Sequence, residues 1–301
     1  MRILLTGNTG QVGYELERSL QGLGEIVALD RSRLDLSDLD QVRRVIREVQ
    51  PGLIVNPAAY TAVDKAESEP ELALRINGEA PAVMAEEAAR LGAAMIHYST
   101  DYVFDGSKDG AYTETDATCP INVYGRSKLA GEQAIQAAGI PHLILRTSWV
   151  YGMRGKNFLL TMQRLAHERD ELRIVADQVG APTWCRTIAD TTGHIVAMLN
   201  ARGATGADAG PGLRSADAWR EASGVYHLTS QGRTSWHGFA SAIVEQLGGG
   251  RRVRVTPITT QEYPLPATRP LNGALDCSKL SSTFCSLPQW EQALRLCREQ
   301  G

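Results

Sequence analysis

Along the first half of the chain, short apolar runs alternate with stretches in which apolar residues recur every three or four positions. That rhythm is the signature of βαβ units and a parallel sheet. Ile3–Thr6, Glu25–Leu29, Leu53–Asn56, Ala94–Ser99 and His142–Thr147 read as strands, with Leu172–Val175 as a sixth. Helices are predicted over Val12–Leu23, Asp38–Val49, Ala80–Leu91 and Asn122–Ala138. In the second of these, Leu39, Val42, Val45, Ile46 and Val49 share one face, and Pro51 stops it.

Beyond these the rhythm changes. Ile188–Asn200 reads as a helix, whereas Ala201–Ala222 is rich in Gly, Ala and Asp, with weak periodicity, and reads as a long surface loop. A strand over Val225–Thr229, a helix over Trp236–Leu247 and an edge strand over Arg252–Thr256 follow. The proline-rich stretch Pro257–Pro270 then leads to a closing helix from Gln289. The expected architecture is α/β, a Rossmann-type doubly wound parallel sheet with a smaller C-terminal substrate-binding lobe. Residues 1–149 would form the sheet domain and 150–301 the lobe, with segments near 172–200 returning to the sheet.

Composition narrows the class. Over 301 residues, 43% are hydrophobic and 22% charged, as in an ordinary globular protein. A net charge of −3 argues against nucleic-acid or anionic-membrane partners. Arg251, Arg252 and Arg254 form a local basic cluster, but their alternation suits a solvated edge strand. Five dispersed cysteines (Cys119, Cys185, Cys277, Cys285, Cys297) contain no C-x-x-C pair and suggest a reducing compartment. The apolar run at Met1–Gly7 is shorter than a signal-peptide core, and no run is long enough to span a bilayer. A cytoplasmic protein is expected.

The first candidate chemistry is a glycine loop. The strand ending at Thr6 runs into Gly7-Asn8-Thr9-Gly10-Gln11-Val12-Gly13 and then a helix, a G-x-x-G-x-x-G spacing. Glycines allow a tight turn and close backbone approach, and a helix N-terminus offers free N–H groups and a positive dipole to a pyrophosphate. Three such glycines alone are a weak signal; strand before and helix after strengthen it. Asp30, closing the second strand, is placed to meet an adenosine ribose, which favours NAD. Arg31 beside it could instead pair with a 2′-phosphate, so the cofactor choice stays open. Asp35 and Leu36 are placed to flank the adenine.

The second is Tyr124-Gly125-Arg126-Ser127-Lys128, which puts a phenol and an ammonium at i, i+4 on one helix face. A nearby cation pulls a tyrosine pKa down from about 10, which suits a general acid or base at a carbonyl oxygen. Ser99-Thr100-Asp101 closes the fourth strand, so the Thr100 hydroxyl lies where open α/β sheets place their ligands.

Together with longer blocks, these features resemble the dTDP-4-dehydrorhamnose reductases, a branch of the extended short-chain dehydrogenases. The blocks are Asn56–Glu67 (NPAAYTAVDKAE), His97–Phe104 (HYSTDYVF), Asn122–Glu132 (NVYGRSKLAGE), Arg146–Gly152 (RTSWVYG), and Pro266–Pro270 continuing to Leu275-Asp276. The resemblance implies hydride delivery from NADPH or NADH to the C4 ketone of dTDP-4-dehydro-β-L-rhamnose, a step in making dTDP-rhamnose for cell-surface polysaccharide such as O-antigen lipopolysaccharide. It implies that Tyr124 donates the proton, Lys128 holds the nicotinamide ribose and tunes Tyr124, and Thr100 bonds the reacting oxygen. It places Gly10–Val12, Asp30, Asp35, Leu36, Ala59, Tyr60, Thr61 and Tyr98 at the cofactor, and Thr100, Asp101 and Trp149 at the sugar nucleotide. Trp149 also reads as a core residue between lobes.

Related sugar-nucleotide dehydratases carry Thr-Asp-Glu where this chain has Thr100-Asp101-Tyr102, so the missing glutamate argues for reduction without elimination. The resemblance also implies a homodimer, with Mg2+ bound at the interface of some members. Glu15 fits one ligand position there, but Arg186 stands where another acidic ligand is expected. Gly273 replaces a usual serine, and the Ala201–Ala222 loop is long for the family. Two alternatives remain: a sugar-nucleotide epimerase that keeps its NAD, and a non-catalytic NADP-binding regulatory subunit. The presence of both Tyr124 and Lys128 speaks against the second.

Overall fold

The computed structural model describes residues 1–202, 212–213, 215–247 and 253–299. The first half alternates β1 (Arg2–Thr6), α1 (Gln11–Ser19), β2 (Glu25–Leu29), α2 (Leu39–Val49) and β3 (Leu53–Asn56). Two short helices, α3 (Val63–Ala66) and α4 (Pro70–Leu74), and a π-helical turn over Arg75–Glu79 lead into α5 (Ala80–Leu91). Then come β4 (Ala94–Thr100), α6 (Val123–Ala137) and β5 (His142–Thr147). The second half holds β6 (Val150–Tyr151), α7 (Phe158–Glu168), β7 (Glu171–Val175), β8 (Val179–Gly180), β9 (Thr183–Trp184), α8 (Cys185–Ala201) and α9 (Ala216–Glu221). It closes with β10 (Gly224–His227), β11 (Thr234–Ser235), α10 (Trp236–Leu247), β12 (Arg254–Ile258), α11 (Ser278–Thr283) and α12 (Trp290–Arg298).

Six strands form one sheet in the order β10-β5-β4-β3-β1-β2, each pair parallel. Side chains alternate across it, so each strand feeds two cores. Ile3, Leu5, Leu53, Val55, Ile96, Leu143 and Leu145 face α1, α8 and α9. Leu4, Ile54, Met95 and Ile144 face α2 and α5. Strands buried on both faces explain the unbroken apolar runs of the sequence, and helices on both faces make the fold doubly wound.

Local signals set the helix ends. Asp38 caps α2 by accepting from the Gln41 N–H at 2.9 Å, and the turn after it passes through Gln50 at φ 50° before Pro51. Gly92 ends α5 at φ 65°.

The structure corrects the sequence reading in several places. Glu171–Val175 is not the sixth strand of the main sheet; it pairs in parallel with β12 in a separate two-stranded sheet. The sixth position belongs to β10, expected in the smaller lobe, because Val225 and Tyr226 supply one apolar side chain to each core. Of the segments near 172–200, α8 does pack on the sheet, against α1. The stretch Ala201–Ala222 is not all loop: α9 buries Trp219 completely against the sheet core. Residues 203–211 and 214 of it lie outside the described residues, as do Arg251 and Arg252. Finally, α7 was not anticipated, although Leu159, Met162 and Ala166 recur at helical spacing and Asn157 caps it.

A second apolar cluster joins α7, β7, α10 and α12 through Leu159, Met162, Leu172, Phe239, Ile243 and Leu294. Val12 and Val150 pack against both this cluster and the core under α1 and α8, so the two meet beside the start of α1.

Candidate active site

The glycine loop has the shape its sequence requires. Gly7 sits at φ +57°, and a Cβ there would lie 2.9 Å from the Ala58 Cβ. A Cβ at Gly13 would overlap the Gly7 carbonyl oxygen, so only glycine lets the loop fold back on α1. The Gly10 N–H donates to Gly7 O at 3.0 Å, and Gly10 starts α1 with no side-chain cap. The first N–H groups of α1 are thereby left for an outside acceptor, and this cradle fits a dinucleotide pyrophosphate. Asn157, the cap of α7, also donates to Gln11 Oε1 at 2.8 Å, tying the second half of the chain to the loop.

The loop opens on a cavity of about 380 Å³. Gly7, Gly10, Gln11, Val12, Gly13, Arg31, Asp35, Leu36, Ala59, Thr61, Tyr98, Tyr124 and Lys128 all line it. Asp30 and Tyr60 do not. The Asp30 carboxylate closes its own turn, accepting from Ser32 N at 3.0 Å, Ser32 Oγ at 2.6 Å and Arg33 N at 3.2 Å. Those bonds, the Ser32 hydroxyl foremost, hold its pKa below the ordinary value. The Arg31 side chain stays exposed, 3.6 Å from Asp35. Tyr60 turns its hydroxyl to Glu69 at 2.7 Å.

Sequence reasoning missed what holds the Ala59–Thr61 segment. The π-helical turn aims Asn77 at it: Tyr60 N donates to Asn77 Oδ1 at 2.8 Å, and Asn77 Nδ2 donates to Tyr60 O at 2.9 Å. Asn77 Nδ2 also reaches Ser127 Oγ on α6 at 3.0 Å. π-turns recur at functional sites because the extra residue re-aims a side chain.

At the far end of the cavity, α6 presents Tyr124 and Lys128. Asn122 caps the helix, accepting from Gly125 N at 2.7 Å and donating to Thr268 O at 2.8 Å. A Cβ on Gly125 would overlap the Tyr102 carbonyl, so this glycine lets the helix start lie against the turn after β4. That contact brings Tyr124 beside Thr100, and packs Tyr102 edge-on against Tyr124 at 5.7 Å between ring centroids.

The electrostatics differ from expectation. Burial pushes the Tyr124 phenol up to about 12, with the Thr100 hydroxyl acting the other way. Lys128 does not bond Tyr124; its Nζ reaches past it to Tyr98 O at 2.6 Å and His97 Nε2 at 3.1 Å. Buried there, Lys128 is lowered to about 8, opposed by Glu132. Tyr124 is therefore a protonated phenol near neutral pH, the form that suits an acid. Asp101, buried and bonded only by local donors such as Thr100 Oγ1 at 3.0 Å, is raised by burial to about 7.

Trp149 stacks on Trp236 with ring centroids 3.6 Å apart, at the seam between the sheet and the second cluster. A second cavity, of about 770 Å³, opens beside Trp236. Arg169, Arg173 and Arg269 line it together with Phe158 and Tyr263. Asp64 grips the Arg269 guanidinium at 2.9 and 2.7 Å, fastening this wall to the Rossmann half.

A magnesium ion does not fit at Glu15. Arg186 Nε donates to Glu15 Oε2 at 3.1 Å, so a guanidinium already sits on the one carboxylate in question. Among the described residues no group of three or more His, Cys, Asp or Glu side chains could hold a metal ion. Nor is any helix there long and apolar enough to cross a membrane.

Comparison with known proteins places the whole chain in one family. The family model of the RmlD substrate binding domain matches residues 1–300. The dTDP-4-dehydrorhamnose reductase of Burkholderia thailandensis is 49% identical over 304 residues, covering 99% of this chain and 98% of the relative. That of Escherichia coli K12 is 43% identical over 307 residues, covering 98% and 96%. Among solved structures, a dTDP-4-dehydrorhamnose reductase of Bacillus anthracis in complex with NADP superposes with a TM-score of 0.88 at 33% identity, covering 100% and 99%. The family model and the full-length similarity thus converge, and the chain belongs to the dTDP-4-dehydrorhamnose reductase family.

Proposed function

We propose that this protein is an NAD(P)H-dependent oxidoreductase that reduces the C4 ketone of dTDP-4-dehydro-β-L-rhamnose to the alcohol of dTDP-β-L-rhamnose. The observation that carries the reading is the position of the Tyr124 phenol, beside the Thr100 hydroxyl and lining the cavity that begins in the glycine cradle.

The cofactor, when bound, supplies the hydride. The N-terminus of α1 and the glycine loop bind its pyrophosphate, and Lys128 holds the ribose next to the nicotinamide. With substrate in place the Thr100 hydroxyl, which in the free protein donates to Asp101 Oδ1, turns its single O–H to the ketone oxygen and so polarises the carbonyl. Tyr124 gives its phenolic proton to that oxygen as the C4–H bond forms, leaving a phenolate and a neutral alcohol. No carboxylate stands at 102 to draw a proton from the sugar, and Tyr102 packs against the acid instead.

Within the same proposal NADPH is the preferred cofactor, because Arg31 is exposed at the adenine end while the Asp30 carboxylate is spent on its own turn. The second cavity takes the dTDP moiety, its arginines meeting the diphosphate and its aromatic side chains the base. Thr100, Asp101 and Trp149 contact the sugar. The second apolar cluster is thus the substrate-binding lobe. The resemblance adds a homodimer, which sedimentation of the purified protein tests. A cytoplasmic location is in keeping with five unpaired thiols.

Incubation with NADPH and dTDP-4-dehydrorhamnose, followed by chromatography of the sugar nucleotide, tests the assignment. Conversion to dTDP-rhamnose with matching NADPH loss is expected. An isomeric sugar nucleotide that keeps its ketone, formed without NADPH consumption, would instead indicate an epimerase.

A further inference from the structure

Lys128 does not stand alone beneath the cleft. Only 2% exposed, it meets a fully buried histidine that no role in the reaction has yet absorbed. His97 lies on β4 with its Nε2 3.1 Å from Lys128 Nζ and its Nδ1 3.1 Å from the Asn56 Nδ2 position on the neighbouring strand β3. The other end of the Asn56 carboxamide lies 2.7 Å from Thr6 Oγ1, on β1. Four polar side chains thus form a continuous buried row across three adjacent parallel strands and onto α6.

The inventory of donors decides how this row must be arranged. A charged ammonium has three N–H donors and no lone pair. One goes to Tyr98 O, one points at His97 Nε2, and the third is left for the cavity that Lys128 lines. His97 Nε2 must then be unprotonated, so Nδ1 carries the proton and needs an acceptor. The two ends of a carboxamide have the same shape, and the charged lysine selects the orientation with Asn56 Oδ1 toward His97 and Nδ2 toward Thr6. The opposite orientation, with Nδ2 toward Nδ1, matches a neutral lysine accepting from an Nε2–H. Burial holds His97 well below its ordinary pKa, and the Lys128 charge adds to this, so the ring is neutral in either arrangement.

We propose that His97 is a positioning residue for Lys128: the Thr6–Asn56–His97 row fixes the ring tautomer whose Nε2 lone pair anchors the Lys128 ammonium and aims its remaining N–H into the cofactor cavity. The other groups around Lys128 leave this task to His97. Glu132, one turn further along α6, is engaged by Arg146 at 2.9 and 2.6 Å. Tyr124, on the same helix face, makes no bond to Nζ, and burial pushes its phenol up rather than toward the phenolate. The proposal rests on the reading of Lys128 as a cofactor ligand. Absence of turnover by wild type would sink that reading, whereas the tautomer is read without any reaction.

Side-chain 15N spectra of the protein labelled in histidine, whose six residues are few enough to assign, test it directly. His97 is expected with Nδ1 protonated and Nε2 bare at neutral pH; an Nε2–H tautomer or an imidazolium would overturn the proposal. NADP+ affinity gives a second reading. His97→Leu is expected to weaken it roughly ten- to a hundredfold, the loss of a hydrogen bond to a charged group. His97→Gln, which offers Oε1 near the Nε2 position, is expected to recover most of it. In a Lys128→Met background, His97→Leu is expected to add little, and an equal loss in both backgrounds would mark His97 as merely a packing residue.

Discussion

The main chain of Gly273 packs directly on the carboxylate of Asp101, and a Cβ at 273 would overlap Asp101 Oδ2. The serine that the family resemblance leads one to expect at this position has no room in this packing. Asp101 in turn holds Thr100 Oγ1 at 3.0 Å, and Thr100 faces Tyr124. Gly273→Ala is therefore expected to displace Asp101 and, through it, Thr100. Steady-state kinetics should show kcat/KM for the sugar nucleotide falling by about tenfold, the scale of a sub-ångström misplacement at a reacting centre, with NADP+ affinity unchanged. Unaltered kinetics would mean that Asp101 does not govern Thr100.

Asp101 also marks the pH dependence of stability. Burial raises it from 3.8 to about 7, so folding disfavours its charged form. Its contribution is fully present below about pH 4 and is lost as pH rises through 7. A shift of this size corresponds to on the order of 4 kcal/mol at most. Asp101→Asn should therefore gain thermal stability relative to wild type at pH 8 and lose that advantage at pH 4. Melting curves at the two values check this, and parallel curves would contradict it.

Much of this organisation was legible in the sequence, but unevenly. β1 to β5 announced themselves because strands buried on both faces must be apolar throughout, and α2 and α6 because Asp38 and Asn122 mark their starts. The place of β10 was not legible: strand order depends on which core its Val225 and Tyr226 complete, and nothing local records that. Tyr124 and Lys128 were visible at i, i+4, yet their relation was misread. Spacing puts them on one face, but only the fold supplies Tyr98 O and His97 as nearer partners for the ammonium. His97 itself, between Ile96 and Tyr98, reads as one more buried strand residue, and its partners lie 41 and 31 residues away. Asn77 was hidden for a similar reason, since a π-turn has no simple period.

The proposed preference for NADPH rests on Arg31. With its guanidinium exposed at the adenine end of the cavity, Arg31→Gln is expected to raise the KM for NADPH about tenfold through loss of one charge-assisted bond to a 2′-phosphate. The KM for NADH should stay as it was. Equal changes for both cofactors would point to a general distortion of the loop.

Chelation probes the Arg186–Glu15 pair. Because the guanidinium at 3.1 Å neutralises Glu15, EDTA treatment is expected to leave both activity and melting temperature unchanged. A loss restored by Mg2+ would show a metal site built from other groups.

The central claim is that Tyr124 is the acid of a ketone reduction. The most direct measurement follows NADPH absorbance with dTDP-4-dehydrorhamnose for the wild type and for Tyr124→Phe, which removes only the hydroxyl. Wild-type turnover with a loss of kcat of roughly a hundredfold or more in the variant, at unchanged NADP+ affinity, is the predicted result. A variant that turns over as fast as the wild type would contradict the account.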